Sequence, residues 1–390
     1  MIDTASLNRL VDLAIAIQQI PAPTFEEQSR ASFVLERFRS EDLRDVSQDK
    51  TGNVFACLPG AGSARPVVVS AHLDTVFPLS TDLHINRSGV SAEGGAGVNQ
   101  AGLPSMIGGP GIGDNSLGVA SLFGLLWELR RSSGMAGGQI LPGDVWLVAN
   151  VGEEGLGNLG GMQAVVDRFG EQPLAYLVVE GMALGQIYNR GLGVQRYRIA
   201  VDTPGGHSWV DYGQPSAIHT LAQLVTRLTD LALPSKPRTT LNVGKIYGGT
   251  SINTIAAHAQ LELDLRSESI QELASLAGQV EALVKQTGRP GVQATAQIIG
   301  QRPAGEISDR HPLVRLAVHT LQELGLPAHL NVGSTDANVP LSCGLPAICL
   351  GMTIGVGAHT LAETIEIPPI ATGLQQLVRV VQGIFKLSQS

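Results

Sequence analysis

The sequence is poor in cysteine, with three in 390 residues: Cys57, Cys343 and Cys349. An odd count without zinc-ribbon spacing argues against a disulfide framework or a thiolate zinc site. The three read as small buried hydrophobes in a reducing compartment. No apolar run reaches the ~18 residues that a membrane span needs. Met1-Ile2-Asp3-Thr4 does not begin a basic segment followed by an apolar one. Basic clusters are also missing. The formal net charge is −8, and no Arg/Lys run is interleaved with aromatics, so neither a nucleic-acid surface nor attraction to anionic membranes is expected. Charged residues make up only 15% and are evenly spread, which argues against disorder. A cytoplasmic enzyme is the expectation. With 43% hydrophobic residues the chain can bury a substantial core, and its length suits two domains.

Apolar residues at Leu7, Leu10, Val11, Leu13, Ala14 and Ile17 have helical spacing, and Ile20-Pro21-Ala22-Pro23-Thr24 stops that helix. Thr24, with Glu27 three residues on, has the pattern of a capping box opening a second helix. Pro66 to Ala71 is a continuous apolar run, as expected for a strand covered on both faces. A helix at Leu117 to Arg131, a strand at Asp144 to Val151, a helix near Met162 to Phe169 and a strand at Ala175 to Glu180 follow. Strands alternating with helices imply an α/β fold: a mostly parallel mixed sheet with helices on both faces. The Gly-rich stretch Gly94 to Gly113 reads as a surface loop.

After Tyr188 the rhythm becomes β-α-β-β-α-β. Strands fall at about Val194–Asp202, Thr239–Ile246, Ala257–Arg266 and Val292–Gly300, with helices at Ser216–Leu231 and Ser269–Thr287. That order is ferredoxin-like. The expected organisation is a catalytic domain in two parts, residues 1–188 and 301–390, interrupted by an inserted α+β domain at 189–300.

Hard ligands stand where strands end. The first strand runs into His72-Leu73-Asp74, and residues two apart on an extended chain face the same way, so Asp74 can orient the His72 ring. Gly111-Ile112-Gly113-Asp114-Asn115 precedes a helix, where Asp114 is either a ligand or a plain cap. Glu153 and Glu154 follow an apolar strand; two adjacent carboxylates either sit in a solvated turn or need a compensating cation. Glu180 closes the strand YLVVE, where a parallel sheet opens its ligand crevice. His359 lies in Gly357-Ala358-His359-Thr360, beyond the apolar strand at Ala347 to Leu350. Together these are oxygen and imidazole donors with no thiolate. They suit zinc, and equally cobalt or manganese.

In order and context these motifs resemble the co-catalytic two-metal family of carboxypeptidase G, peptidase T, acetylornithine deacetylase and succinyl-diaminopimelate desuccinylase. The resemblance spans nearly the whole chain, insertion included. It implies that Asp114 bridges two divalent metal ions, that His72 and Glu180 complete one, and that Glu154 and His359 complete the other. It further implies that Glu153 is the general base and that Asp74 stands behind His72. A water between two ions about 3.5 Å apart loses its proton near neutral pH, and Glu153 would carry that proton to the leaving amine.

In the insertion, the resemblance assigns oxyanion support to His207, often supplied from a partner subunit, and substrate contact to Asn253 and Arg266. Thr335, in Gly333-Ser334-Thr335-Asp336, resembles a substrate-binding loop. Ala256 stands where the family commonly has proline, and no arginine directly precedes Gly333. The expected activity is cleavage of short peptides, leaning towards carboxypeptidase or dipeptidase because position 180 is glutamate. The alternatives are an N-acyl-amino-acid deacylase and a non-catalytic metal-binding relative. The expected partners are a small peptide or N-acyl amino acid substrate and a second copy of the chain, as a homodimer.

Overall fold

A computed structural model describes residues 2–87, 105–134 and 140–388. The chain divides into two compact units, Met1–Arg190 with Glu306–Ser390, and Gly191–Gly305.

The first unit is built on a large mixed sheet. From one edge its strands run Arg44–Gln48, Val54–Leu58, Val145–Asn150, Val67–His72, Ala175–Glu180, Ala347–Gly351 and Gln186–Gly191. The four central strands are parallel to one another, and the outer pairs on both sides are antiparallel. Valines fill the strand Val67–His72, and all six of its residues are buried. Both faces must therefore be covered, as the unbroken apolar run predicts. The helix Gly118–Gly134 packs against both Thr4–Gln18 and Ile370–Leu387. Asp3 starts the first of them by accepting the Ser6 N–H at 2.8 Å. A ring stack of Phe38 on Phe123, with centroids 4.5 Å apart, joins helices Gln28–Arg39 and Gly118–Gly134. Each such buried side chain contributes on the order of 1.5–3 kcal/mol.

Two local expectations fail here. Thr24 does not cap the second helix: Glu27 is at the cap position and makes no side-chain cap bond. Tertiary partners take both residues. The Thr24 hydroxyl donates to Asp74 Oδ2 at 2.9 Å, and Glu27 Oε1 accepts the Gly152 N–H at 3.1 Å. The Gly-rich loop expected at Gly94 to Gly113 lies outside the described residues as far as 104. Beyond them Met106–Gly108 is a short strand paired antiparallel with Thr364–Glu366, and Gly109 to Gly113 are buried rather than on the surface. The antiparallel pair Arg44–Gln48 and Val54–Leu58 has no clear signal in the sequence, since its polar first strand carries no apolar alternation.

The second unit is a four-stranded antiparallel sheet in the order Thr239–Gly248, His258–Ser267, Gly193–Asp202, Gln293–Arg302. Helices Ala217–Thr229 and Ile270–Thr287 pack against it, capped by Ser216 and Ser269. Alternate residues of Gly193–Asp202 and His258–Ser267 are buried, and Tyr197, Ile199, Leu261, Leu263 and Leu265 form a core separate from that of the first unit. Chain order and strand order are those of the ferredoxin-like pattern.

Candidate metal centre

The parallel strands of the first unit end together. His72 is the last residue of its strand and Glu180 the last of the neighbouring one. The registered pair Ser70–Val178 sets them level at the carboxyl edge of the sheet, where α/β sheets hold ligands. His72 Nε2 lies 3.2 Å from Asp114 Oδ1 and 3.5 Å from Glu180 Oε2. His359 Nε2 lies 3.0 Å from Asp114 Oδ2 and 3.0 Å from Glu154 Oε1. Asp114 thus turns one oxygen to each histidine. Donor atoms of His72, Asp114 and Glu154 all fall within 4.8 Å of one another. His359 reaches the cluster from a turn at φ 64°, a left-handed conformation that few residues other than glycine adopt.

The donor set fits divalent ions. Bonds of about 2.1 Å in a tetrahedral shell place neighbouring donors about 3.4 Å apart, and the four observed separations, 3.0 to 3.5 Å, bracket that spacing. The electrostatics agree. Burial pulls the His72 imidazole down, yet Glu180, Asp114 and Asp74 outweigh it and hold it well above its ordinary value. Hydrogen bonds to Asp114 and Glu154 raise His359 to about 10 against burial. Burial would raise Asp114, but His359 and His72 hold it well below the usual carboxylate range. Burial pushes Glu180 up, and Asp114 and Asp336 add to that. Carboxylates outnumber imidazoles here, so the cluster favours positive charge, whether on ring nitrogens or on metal.

Residues 192–292 match the profile of the M20 peptidase dimerisation domain, and residues 53–183 match that of peptidase family M28. The chain thus holds one segment similar to the M20 dimerisation domain and another similar to family M28 peptidases. It is 21% identical over 389 residues to the uncharacterized protein YqjE of Bacillus subtilis, covering 97% of this chain and 99% of that one. It is 25% identical over 278 residues to a probable carboxypeptidase of Aspergillus oryzae, covering 64% of this chain and 62% of that protein. Its fold matches that of YxeP from Bacillus subtilis, a dinuclear metal-binding peptidase of the M20 family. There the TM-score is 0.68 at 17% identity, with 98% and 99% of the two chains covered.

Three buried side chains that touch no donor atom at short range tie the clustered segments together. Asp74, wholly buried, accepts the Glu153 N–H on Oδ1 at 3.0 Å and the Glu154 N–H on Oδ2 at 2.8 Å. The ring of His72 is oriented chiefly by main chain: its Nδ1 lies 3.0 Å from the Asp74 carbonyl oxygen and 3.6 Å from Oδ1. Asn115 donates to the Val179 carbonyl at 2.8 Å and accepts the Gly181 N–H at 2.9 Å, gripping the chain on both sides of Glu180. Glu363 accepts the N–H groups of Gly111, Gly113 and Asp114 at 3.0, 2.6 and 2.8 Å. Burial pushes its carboxyl up to about 7 although those N–H groups pull it down. In the sequence Asn115 stands out only as context for Asp114, and Glu363 carries no signal, because its partners lie some 250 residues away.

Thr335 stands beside Asp336, which is buried and accepts Asn150 Nδ2 at 2.7 Å at the end of the strand next to that of His72. Its hydroxyl accepts the Ala337 N–H at 3.2 Å. In the inserted domain His207 and Thr254 pair across a short ladder, and Ser208 N–H donates to the Asn253 carbonyl at 3.0 Å, so His207 and Asn253 are neighbours. The N–H groups of Trp209 and Val210 approach His207 Nδ1 at 3.2 and 3.3 Å. An Nδ1 that accepts these N–H groups leaves Nε2 as the ring's donor position. Arg266 donates from Nε to Asp264 Oδ2 at 2.7 Å, which holds its base while the side chain stays partly exposed.

Proposed function

We propose that the protein is a two-metal amide hydrolase acting on short peptides, as a carboxypeptidase or dipeptidase, and working as a cytoplasmic homodimer. The observation that carries this is Asp114, whose two oxygens face different histidines at 3.2 and 3.0 Å. On this reading Asp114 bridges, His72 and Glu180 hold one ion, and Glu154 and His359 hold the other. The ions, zinc or else cobalt or manganese, supply Lewis-acid polarisation of the scissile carbonyl and acidify a water. Glu153 takes the proton of the attacking water and delivers it to the leaving amine. Its main-chain N–H is fixed by Asp74, so the base starts from a defined position. His207, as an Nε2–H donor, steadies the developing oxyanion. Asn253, Arg266 and Thr335 contact substrate, with Arg266 reading a carboxylate through its planar donors. The likeness to a probable carboxypeptidase and the glutamate at position 180 support the lean to carboxypeptidase. The buried thiols of Cys57 and Cys349 and the exposed free Cys343 support a reducing compartment.

The test is a panel of dipeptides beside N-acetyl and N-succinyl amino acids, run on protein whose metal content has been measured. Turnover of dipeptides is expected. Turnover of acylated amino acids alone would replace the peptidase reading with a deacylase. Well under one ion per chain, with no uptake on reconstitution, would leave only a non-catalytic relative.

A further inference from the structure

Glu363 is placed oddly for a residue with a purely local role. It is wholly buried, and burying a carboxylate costs several kcal/mol unless hydrogen bonds offset the cost. Its two oxygens take three main-chain N–H groups, all from the four-residue stretch that delivers Asp114. Its own carbonyl accepts the Gly109 N–H at 2.9 Å, and its N–H donates to the Thr360 carbonyl at 3.2 Å. The next three residues, Thr364–Glu366, pair with Met106–Gly108. The segment holding His359 is thus fastened to the segment holding Asp114 from 106 to 114. The circuit closes through the side chains, where His359 Nε2 meets Asp114 Oδ2 at 3.0 Å.

We propose that Glu363 is a positioning residue that sets the Asp114–His359 pair, and so determines the affinity of the ion those two residues share with Glu154. The proposal rests on the two-metal reading above. Without the carboxylate, three buried N–H groups would lose their acceptor, and the Gly111–Asp114 main chain would move to find water. That shift displaces one oxygen of Asp114 from the half-exposed His359, the donor with least packing to restrain it. The other ion also loses alignment with its Asp114 oxygen, but His72 and Glu180 close paired strands that do not depend on Glu363, so two of its three ligands stay in place and it weakens far less.

The experiment titrates chelator-stripped full-length protein with cobalt(II), reading visible absorbance and bound stoichiometry, for wild type, Glu363→Gln and Glu363→Asp. The aspartate keeps the charge but reaches one methylene less far. Wild type is expected to bind two ions. Both variants should keep wild-type far-ultraviolet dichroism and bind the first ion within about threefold of wild type. The second ion should weaken by about 10–100-fold, with turnover recovering as cobalt is raised. Either folded variant binding both ions like wild type overturns the proposal, and so does unfolding of both variants, which would make Glu363 a folding residue. Wild type that binds fewer than two ions instead refutes the two-metal reading itself.

Discussion

Replacing Asp74 with asparagine changes two atoms' hydrogen-bonding character and almost no volume, which makes it a clean probe of how the Glu153–Glu154 turn is held. The native carboxylate accepts Glu153 N–H on one oxygen, and Glu154 N–H and the Thr24 hydroxyl on the other. Asparagine has one acceptor oxygen. Its better orientation keeps that oxygen towards Glu154 and Thr24, leaving its amide facing the Glu153 N–H, donor against donor. A buried N–H stripped of a charged acceptor costs about 1.5–3 kcal/mol, and two bonds weakened from charged to neutral add about 1 kcal/mol. The expected loss is about 3 kcal/mol, or about 6 °C in Tm for a domain of this size. Because the residue released is the proposed base, turnover should fall about 100-fold, the usual cost of a misplacement near 1 Å. Thr24→Val removes one hydroxyl donor only and should cost about 1 kcal/mol with little change in turnover. Thermal unfolding and steady-state kinetics on both variants decide the matter. Asp74→Asn with Tm within 1 °C, or no worse than Thr24→Val, would show that the carboxylate does not hold the turn.

Glu153→Ala should keep both ions, since Glu153 is assigned no ligand role, while turnover falls by about 10²–10⁴; metal loss in that variant would mean that base and ligand are reversed. A Cβ at Gly181 would stand 2.0 Å from the Gly113 carbonyl oxygen, which is main chain and cannot rotate away. Gly181→Ala should therefore cost about 1–3 kcal/mol and weaken metal binding through displacement of Asp114, read by unfolding and by metal titration; unchanged values in both would refute the close approach.

What could be read from the chain alone divides along a physical line. The central strands were legible because burial on both faces demands runs such as Val67-Val68-Val69. The inserted domain was legible because its strands alternate and its helices begin at serines that cap them. The clustered residues His72, Asp114, Glu154, Glu180 and His359 stand out because an oxygen or imidazole side chain after an apolar strand is a local pattern. The residues that arrange those donors have no such pattern. Thr24 reads as a helix cap until Asp74, 50 residues away, claims its hydroxyl. Glu363 is one carboxylate in a turn, and only the fold supplies its three partners.

The same division explains how the donors can be held before any ion arrives. Asp74 joins the end of the His72 strand to the Glu153–Glu154 turn, Asn115 joins the Asp114 segment to both sides of Glu180, and Glu363 joins that segment to the His359 turn. Those links gather the donor segments into two groups, His72 with Glu154 and Asp114 with Glu180 and His359, and the paired strands that end in His72 and Glu180 join the groups into one frame, all through hydrogen bonds that involve no donor side chain. Each link is buried, so water competes poorly for it, and each ends on main chain, so it fixes the position from which a ligand side chain starts. A metal ion entering such a frame need order little protein. The selectivity of damage expected from Glu363, against the broader loss expected from Asp74, follows from which pair of donor segments each link connects.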